Sequence, residues 1–174
     1  MYGQEIIVRY LQDAEAAERT FEDALASLSK TGDQPEVQSA LANMSRKAGT
    51  QHERLQARIE ALGASRSTVK SALAHAVGFA PMLAQLGKKE NEKSTQDLMI
   101  TIAAAAAEAA MYEALAAAAV AAGDAATEQL ARQLQDEERE DYQQAAALLR
   151  QSAIEAFQRA MSENVEASPA AVTN

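Results

Sequence analysis

The chain has 174 residues, and 48% of them are hydrophobic, but 42 are alanine, so half of the apolar content is the smallest apolar side chain. Three Phe, four Tyr and no Trp leave too little aromatic material for β-sheets, while alanine is the strongest helix former, so the composition predicts an all-α fold. The absence of cysteine excludes thiolate metal sites, disulfides and cysteine nucleophiles, and a net charge of −9 with mixed signs excludes a broad basic face for nucleic acid.

Glycine and proline punctuate the chain. Gly32 with Pro35, then Gly63, Gly87 and Gly123, predict helices α1 over about 4–30, α2 over about 35–62, α3 over about 94–122 and α4 over about 125–160. A connection over 63–93 carries an expected short amphipathic helix between Ser71 and Leu86. Residues 1–160 read as one bundle domain and 161–174 as a flexible polar tail. The first and last joints are short, which predicts antiparallel hairpins; the long middle connection can return along the whole bundle, giving a one-crossover topology. Met1 to Tyr10 shows no secretory pattern, so a cytoplasmic location is expected. Leu98 to Ala122 is long enough for a bilayer, yet Glu108 and Glu113 near its centre favour a buried bundle helix, with no membrane contact.

The apolar seams locate a core with polar interruptions. In α1 the seam is Ile7, Leu11, Ala14, Glu18, Phe21, Leu25 and Leu28, with Glu15 beside it. In α2 it is Val37, Leu41, Met44, Ala48, then Gln51 or His52, then Leu55, Ile59 and Leu62. Along α3, Glu108 lies in line with Thr101, Ala105, Tyr112 and Leu115; along α4, Glu137 and Asp141 lie in line with Leu134 and Ala145, with Glu138 adjacent. The alanine run 103–107 reads as core packing, and Ser94 with Asp97 as the cap of α3. Counted from the joints, every interruption falls near mid-helix, and acids brought to one level of a core must be paired, protonated or metal-bound.

The segments YLQDAEAAE (10–18), QHERL (51–55), MYEALAAAA (111–119) and LQDEERED (134–141), set in a one-crossover bundle, resemble the ferritin-like superfamily and in particular the YciE/YciF-type bacterial stress proteins. The resemblance implies a four-helix bundle, a homodimer, a di-metal carboxylate centre of iron or manganese, and a role in stress or in iron and oxygen handling. It supplies a Glu-x-x-His pair on α2, yet no Glu-x-x-His occurs here. Aligned on the family, Arg46 and Gly49 stand at that pair, and Ala110 stands at the α3 ligand position, leaving Glu108 a half-turn away.

The expected function is therefore that of a ferritin-like, stress-associated bundle whose di-metal site has diverged or been lost. The alternative is a di-iron or di-manganese protein. A standard ferroxidase is disfavoured by the missing motif. The candidate ligands for divalent cations are Glu15, Glu18, Glu53, Glu108, Glu137, Glu138 and Asp141, with His52 a lesser candidate. The competing arrangement pairs these acids with Arg46, Lys47, Arg54 or Arg139.

Overall fold

The computed structural model describes residues 2–65 and 92–166. They form α1 (Tyr2–Thr31), α2 (Pro35–Ala61), α3 (Lys93–Ala122) and α4 (Ala125–Glu166), with no strand among the described residues. The all-α expectation holds. Three helices agree with their expected bounds to within two residues, whereas α4 continues through part of the expected tail to Glu166. The short helix expected between Ser71 and Leu86 lies outside the described residues, as does the tail beyond Glu166.

Local chemistry sets the helix ends. Pro35 opens α2, where its missing N–H costs nothing. Gly123, at φ 70°, closes α3 in the left-handed conformation that a Cβ would disfavour. Asp124 then starts α4: its Oδ1 accepts from the Thr127 backbone N–H at 3.0 Å and its Oδ2 from the Thr127 hydroxyl at 2.6 Å. Ser94 is not the expected cap. Its Oγ accepts from the backbone N–H groups of Asp33 and Gln34, both at 3.0 Å, while its own N–H donates to Asp33 Oδ1 at 2.9 Å. This reciprocal clasp ties the α1–α2 joint to the start of α3.

The clasp and its counterparts fix the chain directions. Gln34 donates to the Ser152 carbonyl at 3.1 Å, so Asp33, Ser94 and Ser152 share one end of the bundle. Arg58 reaches Asp124 at 2.6 Å and Gln12 donates to the Ser65 carbonyl at 2.8 Å, which gathers the end of α2, the start of α1 and the α3–α4 joint towards the other. The connection thus leaves α2 at one end and enters α3 at the opposite end, and the helices run up, down, down, up. That is the one-crossover arrangement expected from the loop lengths.

The interior has two apolar compartments. One contains Ile7, Leu11, Leu55, Ile59, Leu115, Ala119 and Leu134; the other contains Phe21, Leu25, Val37, Leu41, Met44, Leu98 and Ala145. Between them lies a layer of polar side chains, the subject of the next section. By length and composition α3 could cross a membrane, and 44% of its most apolar window is buried within the bundle. Its alanines divide by face, and this revises the reading of the run 103–107 as core packing. Ala104, Ala105, Ala116 and Ala119 are buried, whereas Ala103, Ala106, Ala107, Ala110, Ala114 and Ala117 are exposed.

Candidate metal centre

Each helix brings polar groups to the mid-bundle layer. Glu18 of α1, Glu108 of α3 and Glu138 of α4 are all buried, and each offers a carboxylate oxygen within 4.8 Å of those of the other two. They converge because each occupies a seam position whose neighbours are apolar: Ala14 and Phe21 flank Glu18, Ala105 and Tyr112 flank Glu108, and Leu134 and Ala145 lie along the face of Glu138. The Tyr112 hydroxyl donates to Glu18 Oε1. From α2, the Gln51 amide donates to Glu138 Oε1 at 2.8 Å and to Glu137 Oε2 at 3.1 Å.

Four buried oxygens of this layer have no hydrogen-bond partner: Oε2 of Glu18, Glu108 and Glu138, and Oε1 of Gln51. Buried acceptors left so are costly. The electrostatics agree. Burial, followed by the charge of Glu138, pushes Glu18 well above the ordinary carboxylate range. Burial, then Glu18 and Glu138, does the same to Glu108. Glu138 is raised by burial and by Asp141 to about 7, with Gln51 and Lys47 opposing the rise. A hydrogen-bonding interaction between Glu108 and Glu138 adds to the rise at the former and opposes it at the latter. Burial, with Glu18 and Glu108 nearby, also lifts Tyr112 well above the usual phenol range, keeping it a donor.

The remaining expected ligands are otherwise engaged. Glu15 is buried but bonded to His52 Nε2 at 2.8 Å. Glu137 is held by Arg54 at 2.7 and 2.9 Å, and Asp141 by Lys47 at 2.9 Å. Glu53 is exposed. The Arg54 and Lys47 pairings anticipated as the competing arrangement are therefore real, but they cover only part of the layer. Arg46 and Arg139 turn instead to Asn43 and Asp136. Ala110 and Arg46, aligned with family ligand positions, are exposed. At Gly49 the Glu22 carboxylate lies close: a Cβ there would meet Glu22 Oε1 at 2.9 Å.

The donor set can be tested against the metal that such a fold implies. Three carboxylates with partnerless oxygens, beside an amide oxygen in the same condition, suit a hard divalent cation that takes oxygen ligands. His52, whose Nε2 is occupied by Glu15, supplies no imidazole to that set. A bound cation would neutralise the acids and give their free oxygens a partner.

A four-helix bundle with one crossover is the ferritin-like fold. The chain belongs to the family described as Domain of unknown function (DUF892), whose model matches residues 3–162. No curated protein matches it. Among solved structures it is similar to a protein from Xanthomonas campestris pv. campestris, at 21% identity and TM-score 0.77, covering 92% of this chain and 99% of that one. It is also similar to the stress protein YciF of E. coli, at 18% identity and TM-score 0.76, covering 87% and 96%. YcfI from Rhodopseudomonas palustris follows at 16% identity and TM-score 0.70, covering 83% and 92%. At these identities the likeness establishes the fold.

Proposed function

We propose that this protein is a stress-associated, cation-binding member of the ferritin-like bundles, with Glu18, Glu108 and Glu138 as the ligands of a divalent metal such as manganese or ferrous iron. The observation that carries the reading is the convergence of three buried carboxylates from three helices, each with an oxygen that lacks any partner. A purely structural layer would pair those oxygens, as Lys47 pairs Asp141 and Arg54 pairs Glu137. The likeness to the E. coli stress protein supports a stress-associated role. After incubation with Mn2+, or with Fe2+ under anaerobic conditions, followed by desalting, the protein will retain metal, and Glu18→Gln and Glu108→Gln will lose it at least tenfold. An unloaded wild-type protein at pH 8 would sink the proposal.

The protein acts as a homodimer in this reading, and the outer face of α3 supports it. Met99 and Val120, each about half exposed, stand at either end of the exposed alanines Ala103, Ala106, Ala110 and Ala117, a strip of small side chains interrupted by Glu113, which pairs with Arg132. Ala110→Arg, which adds a long charged side chain at an exposed site, will turn a sedimenting dimer into a monomer with little change in thermal stability. An unchanged dimer would place the interface elsewhere.

A further inference from the structure

A basic stripe runs down α2 against α4, and it bears on how many cations the layer can accept. Lys47, Arg54 and Arg58, with the neutral Gln51 among them, recur at helical spacing and meet Asp141, Glu137, Asp124 and, for Gln51, Glu138. Lys47 is the member nearest the layer's charge. Its three donors find Asp141 Oδ1 at 2.9 Å, the Glu137 carbonyl at 2.9 Å and Glu140 Oε2 at 3.5 Å. Burial opposes its charge, but the hydrogen bond to Asp141 more than compensates and keeps the ammonium protonated.

We propose that the layer holds one divalent cation and not a pair, because the Lys47 ammonium, seated on Asp141 and the Glu137 carbonyl, occupies the place that a second cation would need. The inference rests on reading Glu18, Glu108 and Glu138 as a cation site. Donor availability points the same way as charge. Within the layer the partnerless oxygens number four and belong to those three acids and Gln51, while the carboxylates beside them each carry a basic partner: Asp141 with Lys47, Glu137 with Arg54, Glu15 with His52. A single divalent ion offsets most of the charge of the three unpaired carboxylates. A second would have to bind beside a fixed ammonium, with Asp141 or Glu137 stripped from its own partner, and the repulsion and desolvation both oppose it.

The test is Mn2+ loading followed by metal analysis and electron paramagnetic resonance of wild type, Lys47→Met and Lys47→Arg. Wild type and Lys47→Arg will bind one Mn2+ per chain and give the six-line signal of an isolated ion. Lys47→Met keeps the stem but removes the charge, frees Asp141, and will take a second ion, with the broadened signal of a spin-coupled pair. Two coupled ions in wild type would overturn this inference while leaving the cation site intact. No ion in wild type would remove the cation site itself and the inference with it. Wild-type stoichiometry decides the matter even if Lys47→Met fails to fold, and a folded Lys47→Met still limited to one ion would overturn the role given to the ammonium.

Discussion

Metal-free protein will lose stability as the pH rises from about 4.5 to about 7, and Mn2+ will restore it at the upper end of that range. The window follows from Glu138, whose carboxyl is raised by burial and by Asp141 from 4.5 to about 7. In the unfolded chain this group releases its proton near 4.5; in the bundle it keeps it until about 7. Between those values the folded state binds more protons than the unfolded one, so stability falls as pH increases. The stabilising protonation is fully present below 4.5 and gone above 7. For Glu138 alone the loss is about 3 kcal/mol, or a drop in thermal midpoint of roughly 6–12 °C for a domain of this size. Glu18 and Glu108, raised by the same burial, extend the decline in the same direction. A bound cation reverses the dependence, because it replaces the protons and binds more tightly as they leave. Thermal denaturation at pH 4.5, 6 and 8, with and without Mn2+, checks both halves. A metal-free midpoint that climbs steadily from pH 4.5 to 8 would contradict the protonated layer.

Much of this layer was legible in the sequence, because helical periodicity reports which side of a helix faces inward. The line Thr101, Ala105, Glu108, Tyr112 and Leu115 is buried along its whole length, so Glu108 was found by spacing alone. The same holds for Glu18 between Ala14 and Phe21. Spacing was less decisive on α4, where Glu137, Glu138 and Asp141 lie near the boundary between core and interface. Glu138 is the one that is fully buried, and Glu137 turns to Arg54. A seam count cannot separate such neighbours, since the difference is set by the basic stripe on α2, a tertiary partner. Alignment by short motifs was less informative than periodicity: it put Ala110 at a ligand position, and Ala110 is exposed. The pairing of His52 with Glu15 crosses the α1–α2 hairpin and left no local signal, although both residues stood near mid-helix by simple counting.

The alanine excess has a comparable history. Composition suggested a core crowded with methyl groups, but α3 uses alanine on both faces, and only the inner set packs the bundle. Close helix approach along that inner face allows Glu108 and Tyr112 to reach Glu18. Two apolar compartments on either side exclude water from the layer, which raises the acids and leaves their free oxygens without solvent. The same packing thus creates both the penalty on the metal-free protein and the affinity for a cation.

Replacing Glu138 by glutamine separates those two consequences. Glu138→Gln retains the shape of the side chain and an oxygen to accept from Gln51, so the 2.8 Å hydrogen bond has a ready successor. Its new amide neighbours Glu108, whose interaction with Glu138 contributes to the raised pKa in wild type. The variant has no carboxyl at this position to ionise, so above pH 7 it escapes the penalty that burial imposes on wild type. At pH 8 without metal it will be more stable than wild type by about 3 kcal/mol, and near pH 4, where Glu138 is protonated in both states, the two will denature together. Cation binding moves the other way: a neutral amide oxygen in place of a carboxylate will weaken Mn2+ retention by at least tenfold and abolish the metal-induced rise in midpoint. Denaturant titrations of both proteins at pH 4 and 8, each with and without Mn2+, measure all four corners of this comparison. A variant that is less stable than wild type at pH 8 without metal would mean that Glu138 is ionised and paired in the folded protein, contrary to the geometry, and a variant that still binds Mn2+ as tightly would remove Glu138 from the ligand set.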